Sequence, residues 1–165
     1  MNLPPYNTFP IISSDRIELR EVQTSDLKDM LDISYYGIKK ANTIEEALEM
    51  LEKINEDYTN GNSIHWAIKD KTTNNIVGTC GFYRGFENEA GELGFILLPQ
   101  YKGKGYMTQA LPLWIDFGLR KIGLKRIWAI TFKQNEPAIK LLKKLDFKKV
   151  AEFDNDEIIF ELMKK

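Results

Sequence analysis

The chain has 165 residues, 43% of them hydrophobic and 28% charged, with a formal net charge of −1. That size and balance suit one globular domain with a real core, and argue against a protein built to coat nucleic acid or an anionic membrane. The single cysteine, Cys80, excludes an internal disulfide and a thiolate zinc site, and no G-x-S-x-G segment exists to partner the single histidine, His65.

Met1–Ser14 reads as an extended, proline-rich lead-in. Arg16–Glu21 alternates apolar and polar and predicts a strand. Thr24 or Ser25 caps a predicted helix to about Ser34, and Thr43–Tyr58 predicts a second, with Ile44, Ala47, Leu48, Leu51 and Ile54 on one face. Ser63–Lys69, Ile76–Tyr83 and Ala90–Leu98 read as an antiparallel meander. Tyr106–Ile122 is a predicted helix containing Pro112, which removes a backbone bond and favours a kink. Gly123 fits its C-cap, Arg126–Phe132 returns as a strand, and a helix starts at Asn135. Lys148–Phe153 and Glu157–Met163 close as a hairpin. The segment Gly91–Phe132 is a β-α-β unit, so its two strands are expected to be parallel with a right-handed connection. Residues 1–12 show no basic segment before an apolar run, and no apolar run reaches the ~18 residues of a membrane span, so a cytoplasmic location is expected.

The segment LLPQYKGKGYMTQAL concentrates the chemistry. A helix N-terminus offers unpaired N–H groups and partial positive charge. Glycines there admit a ligand close to the backbone, and phosphates bind such places. Gly103 and Gly105, with Lys102 and Lys104 at the rim, therefore make a candidate pyrophosphate cradle; the same residues also suit a ligand-free strand-to-helix turn. A Walker A loop is excluded because the lysine lies between the glycines and no Ser or Thr follows it. A dinucleotide fingerprint is excluded because Thr108 stands at its third glycine and the next strand ends in Phe132-Lys133, without an acid for a ribose.

Gln100-Tyr101-Lys102-Gly103-Lys104-Gly105 matches Q/R-x-x-G-x-G/A, the acyl-CoA loop of the GNAT N-acetyltransferases. GELGFILLPQYKGKGYMTQAL resembles the core strand, loop and helix of that superfamily, and IWAITFKQNEPAIKLLKKLDFKKVAEF resembles the strand-helix-strand that follows. RIELREVQTSDL and HWAIKDKTTNNIVGTCGF are similar to the branch that acetylates N-terminal α-amines of ribosomal proteins. The resemblance implies a single GNAT domain over residues 1–165, a mixed α/β fold with a central sheet of about seven strands and about four helices. It implies acetyl-CoA as co-substrate and no metal. Backbone at Phe95, Ile96, Leu97 and Leu98 would bind the pantetheine arm. N–H groups from Lys102 through Gly103, Lys104, Gly105, Tyr106, Met107 and Thr108 would hold the pyrophosphate. Asn135 would contact the pantetheine or a bridging water, and it also suits a plain N-cap before Pro137.

Acetyl transfer to an amine needs a neutral nitrogen, a thioester beside it, a donor for the oxyanion and a route out for the thiolate. The resemblance implies Glu92 as the leading candidate base, since relatives carry a glutamate at this point, with His65, Glu87 and Glu89 as lesser ones; a structural ion pair is the alternative role for Glu92. Backbone N–H near Ile96 or Leu97 would polarise the thioester carbonyl. Relatives often read N-x-x-S-x-x-x-Y after the asparagine, but here Ala138 and Leu142 stand at the hydroxyl positions, so Tyr106 or water is the expected substitute. Gln109 replaces a glutamate common in relatives, and Asp146 replaces a glycine at a left-handed position that Asp tolerates. Cys80 reads as a small core residue.

Glutamates 45, 46, 49, 52 and 56 with Glu87 and Glu89 suggest an acidic rim that suits a cationic amine, though a solvated helix face reads the same way. The resemblance makes a ribosomal-protein N-terminal α-amine the favoured acceptor, ahead of a polyamine or antibiotic amine, for a monomer or homodimer with no nucleic-acid or membrane partner. A non-catalytic acyl-CoA sensor and a ligand-free interaction module are the competing classes.

Overall fold

The computed structural model describes residues 1–165. The lead-in is not free: strand β1 (Ile12–Ser13) pairs with β2 (Ile17–Glu21), the Pro10 carbonyl accepts from Trp66 Nε1 at 3.0 Å, and the Tyr6 ring meets Phe117 edge-on.

The first expected helix does not form. Two 3-10 turns, Thr24–Asp26 and Leu31–Ile33, take its place. Backbone bonds here close every three residues, Leu27 to Thr24 and Met30 to Leu27 among them. The Asp26 carboxylate caps the first turn, accepting one bond from the Gln23 N–H at 2.8 Å and two from the Arg20 guanidinium at 2.8 and 2.9 Å. Leu27, Met30 and Ile33 are still buried. A ribbon follows, β3 (Tyr35–Tyr36) and β4 (Lys39–Lys40), turning at Gly37 with φ of 61°.

Helix α1 (Ile44–Thr59) begins where expected, with Thr43 Oγ1 accepting from the Glu46 N–H. Its buried stripe is Ala47, Met50 and Leu51; Ile44 and Leu48 are exposed, so the inward face is rotated from the expected one.

Strands β5 (Ile64–Asp70), β6 (Ile76–Tyr83) and β7 (Ala90–Leu97) form the antiparallel meander. Helix α2 (Tyr106–Phe117) continues through Pro112 and passes into a π turn, Gly118–Ile122, that ends at left-handed Gly123. Gly118 is required by packing: a Cβ there would lie 2.5 Å from the Phe82 ring. Strand β8 (Arg126–Phe132) lies parallel to β7. After α3 (Glu136–Lys144), β9 (Lys148–Glu152) and β10 (Glu157–Met163) close the sheet. The sheet has eight strands in the order β1-β2-β5-β6-β7-β8-β10-β9, beside the separate ribbon and three α-helices. Asp146 is left-handed with φ of 66°, as expected of its position.

The sheet divides the interior. One face packs Ile17, Leu19, Trp66 and Phe82 against Leu111 and Trp114 of α2. The other packs Ala67 and Leu98 against Leu27, Met30 and the α1 stripe. Alternation along β7 places Glu92, Gly94 and Ile96 on the second face.

Candidate active site

Strands β7 and β8 pair only from Ala90–Glu92 against Arg126–Trp128, although both run on, to Leu97 and Phe132. Glu92 is therefore the last residue before a split in the sheet. On its other edge β7 stays paired to β6 as far as Leu97. The Leu98 N–H donates to the Val77 carbonyl at 2.9 Å, and its carbonyl accepts from Tyr101. Counting back by twos along an antiparallel ladder, Ile96 and Gly94 also face β6, while Phe95 and Leu97 turn their N–H and C=O groups into the split. The expected pantetheine contacts from Phe95–Leu98 thus narrow to Phe95 and Leu97, and the N–H available to a thioester carbonyl is that of Leu97 rather than Ile96.

The glycine segment leads from this split into α2. Gly103 and Gly105 are left-handed, with φ of 74° and 83°, a conformation that costs glycine nothing. The N–H groups of Gly103, Lys104, Gly105, Tyr106, Met107 and Thr108 reach no backbone carbonyl, whereas Lys102 donates to the Pro99 carbonyl at 3.3 Å. Free N–H groups in alternating left- and right-handed backbone form an anion nest, here at the positive end of a helix. These residues fit a pyrophosphate, with Lys102 contributing charge and not its N–H.

Sequence reasoning missed the residue that braces this loop. Arg16, at the foot of β2, donates from Nη1 to the Lys104 carbonyl at 2.8 Å and lies 4.1 Å from the Tyr106 ring centre. Tyr106 in turn donates its hydroxyl to Asp70 Oδ2 at 2.7 Å. That bond corrects one expectation: the Tyr106 hydroxyl is committed to Asp70 in a buried setting and is not the substitute acid for a leaving thiolate.

Asn135 Oδ1 accepts from the Ala138 N–H at 3.4 Å, the N-cap role. Ala138 and Leu142 are buried, with Leu142 inside the α2-side core. No hydroxyl stands at either position, and Leu142 serves packing there.

A cavity of about 850 Å³ lies on the second face of the sheet. Its walls include Leu27, Met30, Tyr36, Met50 and Ile54, and its floor includes His65, Thr79, Tyr83, Glu92 and Gly94. Gly94 makes room for a neighbour: a Cβ there would fall 2.6 Å from the Tyr83 ring. None of the α1 glutamates lines the cavity, nor does Glu89, which corrects that part of the acidic-rim expectation; Glu87 does line it, with Asp57 and Glu92 as the other carboxylates.

Glu92 is 6% exposed. Its Oε2 lies 3.3 Å from Arg84 Nε without an aligned hydrogen bond. Burial holds the Glu92 carboxyl above its ordinary value, with Arg84 pulling the other way; a base so shifted is better matched to neutral pH. His65 is pushed down to about 4 by desolvation, which leaves it a weaker base. Glu89 is paired with Lys125 at 2.6 Å, and Glu87 is exposed at the rim. Cys80 is fully buried on the opposite face, its thiol pushed well up by burial, and takes no part.

Residues 16–148 match the acetyltransferase (GNAT) domain. The chain belongs to the GNAT acetyltransferases. The chain is 31% identical over 144 residues to the uncharacterized N-acetyltransferase p20 of Bacillus licheniformis, covering 82% of this chain and 81% of that one. Two solved GNAT structures superpose on the fold. The ribosomal-protein-S5-alanine acetyltransferase of Vibrio fischeri does so with a TM-score of 0.78 and 23% identity, covering 93% and 96% of the two chains. A spermidine N-acetyltransferase of Vibrio cholerae does so with a TM-score of 0.78 and 16% identity, covering 91% and 95%. This GNAT protein is thus an N-acetyltransferase, and acetyl-CoA is the donor its family uses.

Proposed function

We propose that this enzyme acetylates the α-amine of a peptide or protein N-terminus by direct attack in a ternary complex, with Glu92 as the base. The observation that carries the reading is the place of Glu92. It is the last paired residue before the β7–β8 split and also part of the floor of the acceptor cavity, so one carboxylate faces the meeting point of donor and amine.

Acetyl-CoA supplies an activated acyl group on a thiolate leaving group. Glu92 accepts the proton of the incoming amine, directly or through one water, and frees the nitrogen lone pair for attack. The Leu97 N–H, unpaired at the edge of the split, is placed to donate to the developing oxyanion. The nest of Gly103–Thr108 and the charges of Lys102 and Lys104 hold the donor's pyrophosphate. Ala138 and Leu142 offer no hydroxyl to the sulfur; a thiol of pKa ~8–9 departs as the thiolate.

Arg84 supports a monoamine acceptor. It is the cavity's one cationic side chain and already lies beside Glu92, so a polyamine would bring further positive charge past a guanidinium. The second reading is a polyamine acceptor, favoured by Asp57 and Glu87 in the same walls and by the likeness to spermidine acetyltransferases.

Thiol release from acetyl-CoA, measured with an alanine- or serine-initiated peptide amide and with spermidine, tests the proposal. Turnover of the peptide, abolished in Glu92→Gln while acetyl-CoA still raises the melting temperature, is the expected result. Unchanged turnover in Glu92→Gln overturns the base assignment, and a protein not stabilised by acetyl-CoA overturns the donor.

A further inference from the structure

Four buried side-chain polar atoms in the whole molecule make no hydrogen bond within the protein: Ser63 Oγ, His65 Nδ1, Glu92 Oε2 and Trp114 Nε1. Three of the four belong to residues lining the same cavity. Orphaned buried polar atoms cost stability, so three around one cavity mark a place built for a ligand. The base accounts for Glu92. Ser63 and His65 have no part in the chemistry above.

Their position follows from sheet register. His65 pairs with Gly81, and Gly81 with Gly94, so these three stand in one row across β5, β6 and β7. Glu92 lies two residues before Gly94 and shares its face. Adjacent strands are ~4.8 Å apart, which puts the His65 backbone roughly 10 Å from β7. Ser63 immediately precedes β5 and is 5% exposed. The Tyr83 ring lies between, against Gly94 and with its centre 5.7 Å from that of His65. An extended peptide covers ~7 Å in two residues, so an amine at Glu92 carries its first two peptide units toward this pair.

We propose that Ser63 and His65 form a second acceptor subsite that hydrogen-bonds an amide within the first two peptide units of the substrate, and that this subsite selects peptides over polyamines. The inference rests on the acetyl-transfer reading given above. An amide offers both a donor and an acceptor, and a serine hydroxyl with a neutral imidazole answers both. A second ammonium would meet no carboxylate on either residue. It would be desolvated against neutral groups, an unfavourable exchange. Asp57, on the cavity wall, already accepts from the Tyr36 hydroxyl at 3.0 Å.

The test compares wild type, Ser63→Ala, His65→Phe and His65→Asn, each with a Ser-Ala-Ala amide and with spermidine. The peptide's kcat/KM should fall about tenfold or more in Ser63→Ala and His65→Phe, with the spermidine rate within about threefold of wild type. His65→Asn, which keeps a polar atom near the Nδ1 position, should recover part of the loss. The Ser63→Ala melting temperature should equal or exceed that of wild type, because the change removes a polar group that pairs only in the complex; a purely structural serine would give the opposite. Equal losses on both acceptors, or no loss on the peptide, overturns the subsite and leaves its groups to bind water alone. Wild type that turns over spermidine but not the peptide also overturns it, with acetyl transfer still standing. Failure of acetyl-CoA to stabilise the wild type overturns the underlying reading instead.

Discussion

Arg16 and Lys104 are 88 positions apart in sequence, yet the guanidinium of one donates to the backbone carbonyl of the other at 2.8 Å. The bond holds the Lys104 carbonyl toward Arg16 within a loop whose neighbouring N–H groups are free. The same guanidinium lies over Tyr106, the first residue of α2.

Arg16→Met should therefore raise the KM for acetyl-CoA about tenfold, the worth of one charge-assisted bond, with little change in kcat. Acetyl-pantetheine, which lacks the pyrophosphate, should be used equally well by variant and wild type. Arg16→Lys should not restore the KM, since an ammonium cannot reproduce the planar stack and fork. Initial-rate kinetics with both donors decide the matter.

Tyr106→Phe should leave the pH dependence of kcat unaltered, because the lost hydroxyl serves Asp70 and not the leaving sulfur. A lower melting temperature is expected instead, since a hydrogen bond to a charged group contributes about 1.5–3 kcal/mol. A kcat that became limited by thiolate protonation, with an altered alkaline limb, would reinstate Tyr106 as the acid.

Glu92→Gln should lower turnover by roughly 10²- to 10⁴-fold. It should also stabilise the protein near neutral pH. The folded-state pKa of Glu92 lies above its ordinary 4.5, so its contribution is most favourable below that value and is lost as pH rises through the folded pKa. The advantage of Glu92→Gln over wild type should shrink as pH falls through the folded pKa toward 4.5, and stay constant below it. Melting curves of both proteins from pH 4 to 8 would show it.

His65 has the opposite sign. Its pKa is pushed from 6.5 to about 4, so its contribution is complete above 6.5 and disappears as pH falls toward 4. His65→Phe should flatten the acid limb of the melting-temperature profile. An acid limb identical to that of wild type would show that the imidazole is not desolvated in solution.

Gly105→Asp should abolish the rise in melting temperature caused by CoA. Asp can hold the left-handed backbone at this position, so the fold is kept, but its carboxylate would face the pyrophosphate and repel it. Wild type at ~100 times Kd gains about 2.7 kcal/mol; an equal gain in the variant would remove the nest from the donor site.

Local sequence was sufficient where local physics decides. The alternation of β5, β6 and β7, the glycine turn before α2 and the Thr43 and Asn135 caps are readable from spacing and residue chemistry alone, whereas Glu92 is favoured as base through the family resemblance. The cap forms at Gln23 and Asp26 rather than at Thr24 or Ser25, and the chain beyond it closes in 3-10 turns instead of the expected helix. The stripe of α1 was misread because Ile44 and Leu48 have the right periodicity but no neighbour to cover them.

The sequence by itself determined a mixed α/β fold and a glycine-rich strand-to-helix turn, because each rests on periodicity or on a short run of adjacent residues; Glu92 stands out through the family resemblance. Only the tertiary structure decided which of those groups are free to act. Pairing to β6 occupies the backbone of Ile96 and Leu98, Asp70 occupies Tyr106, Arg16 braces the loop, and Ser63 Oγ and His65 Nδ1 are left unpaired in residues lining the same cavity as Glu92. Each of these depends on a partner distant in the chain, and hydrogen-bond satisfaction is a property of the folded neighbourhood rather than of the residue.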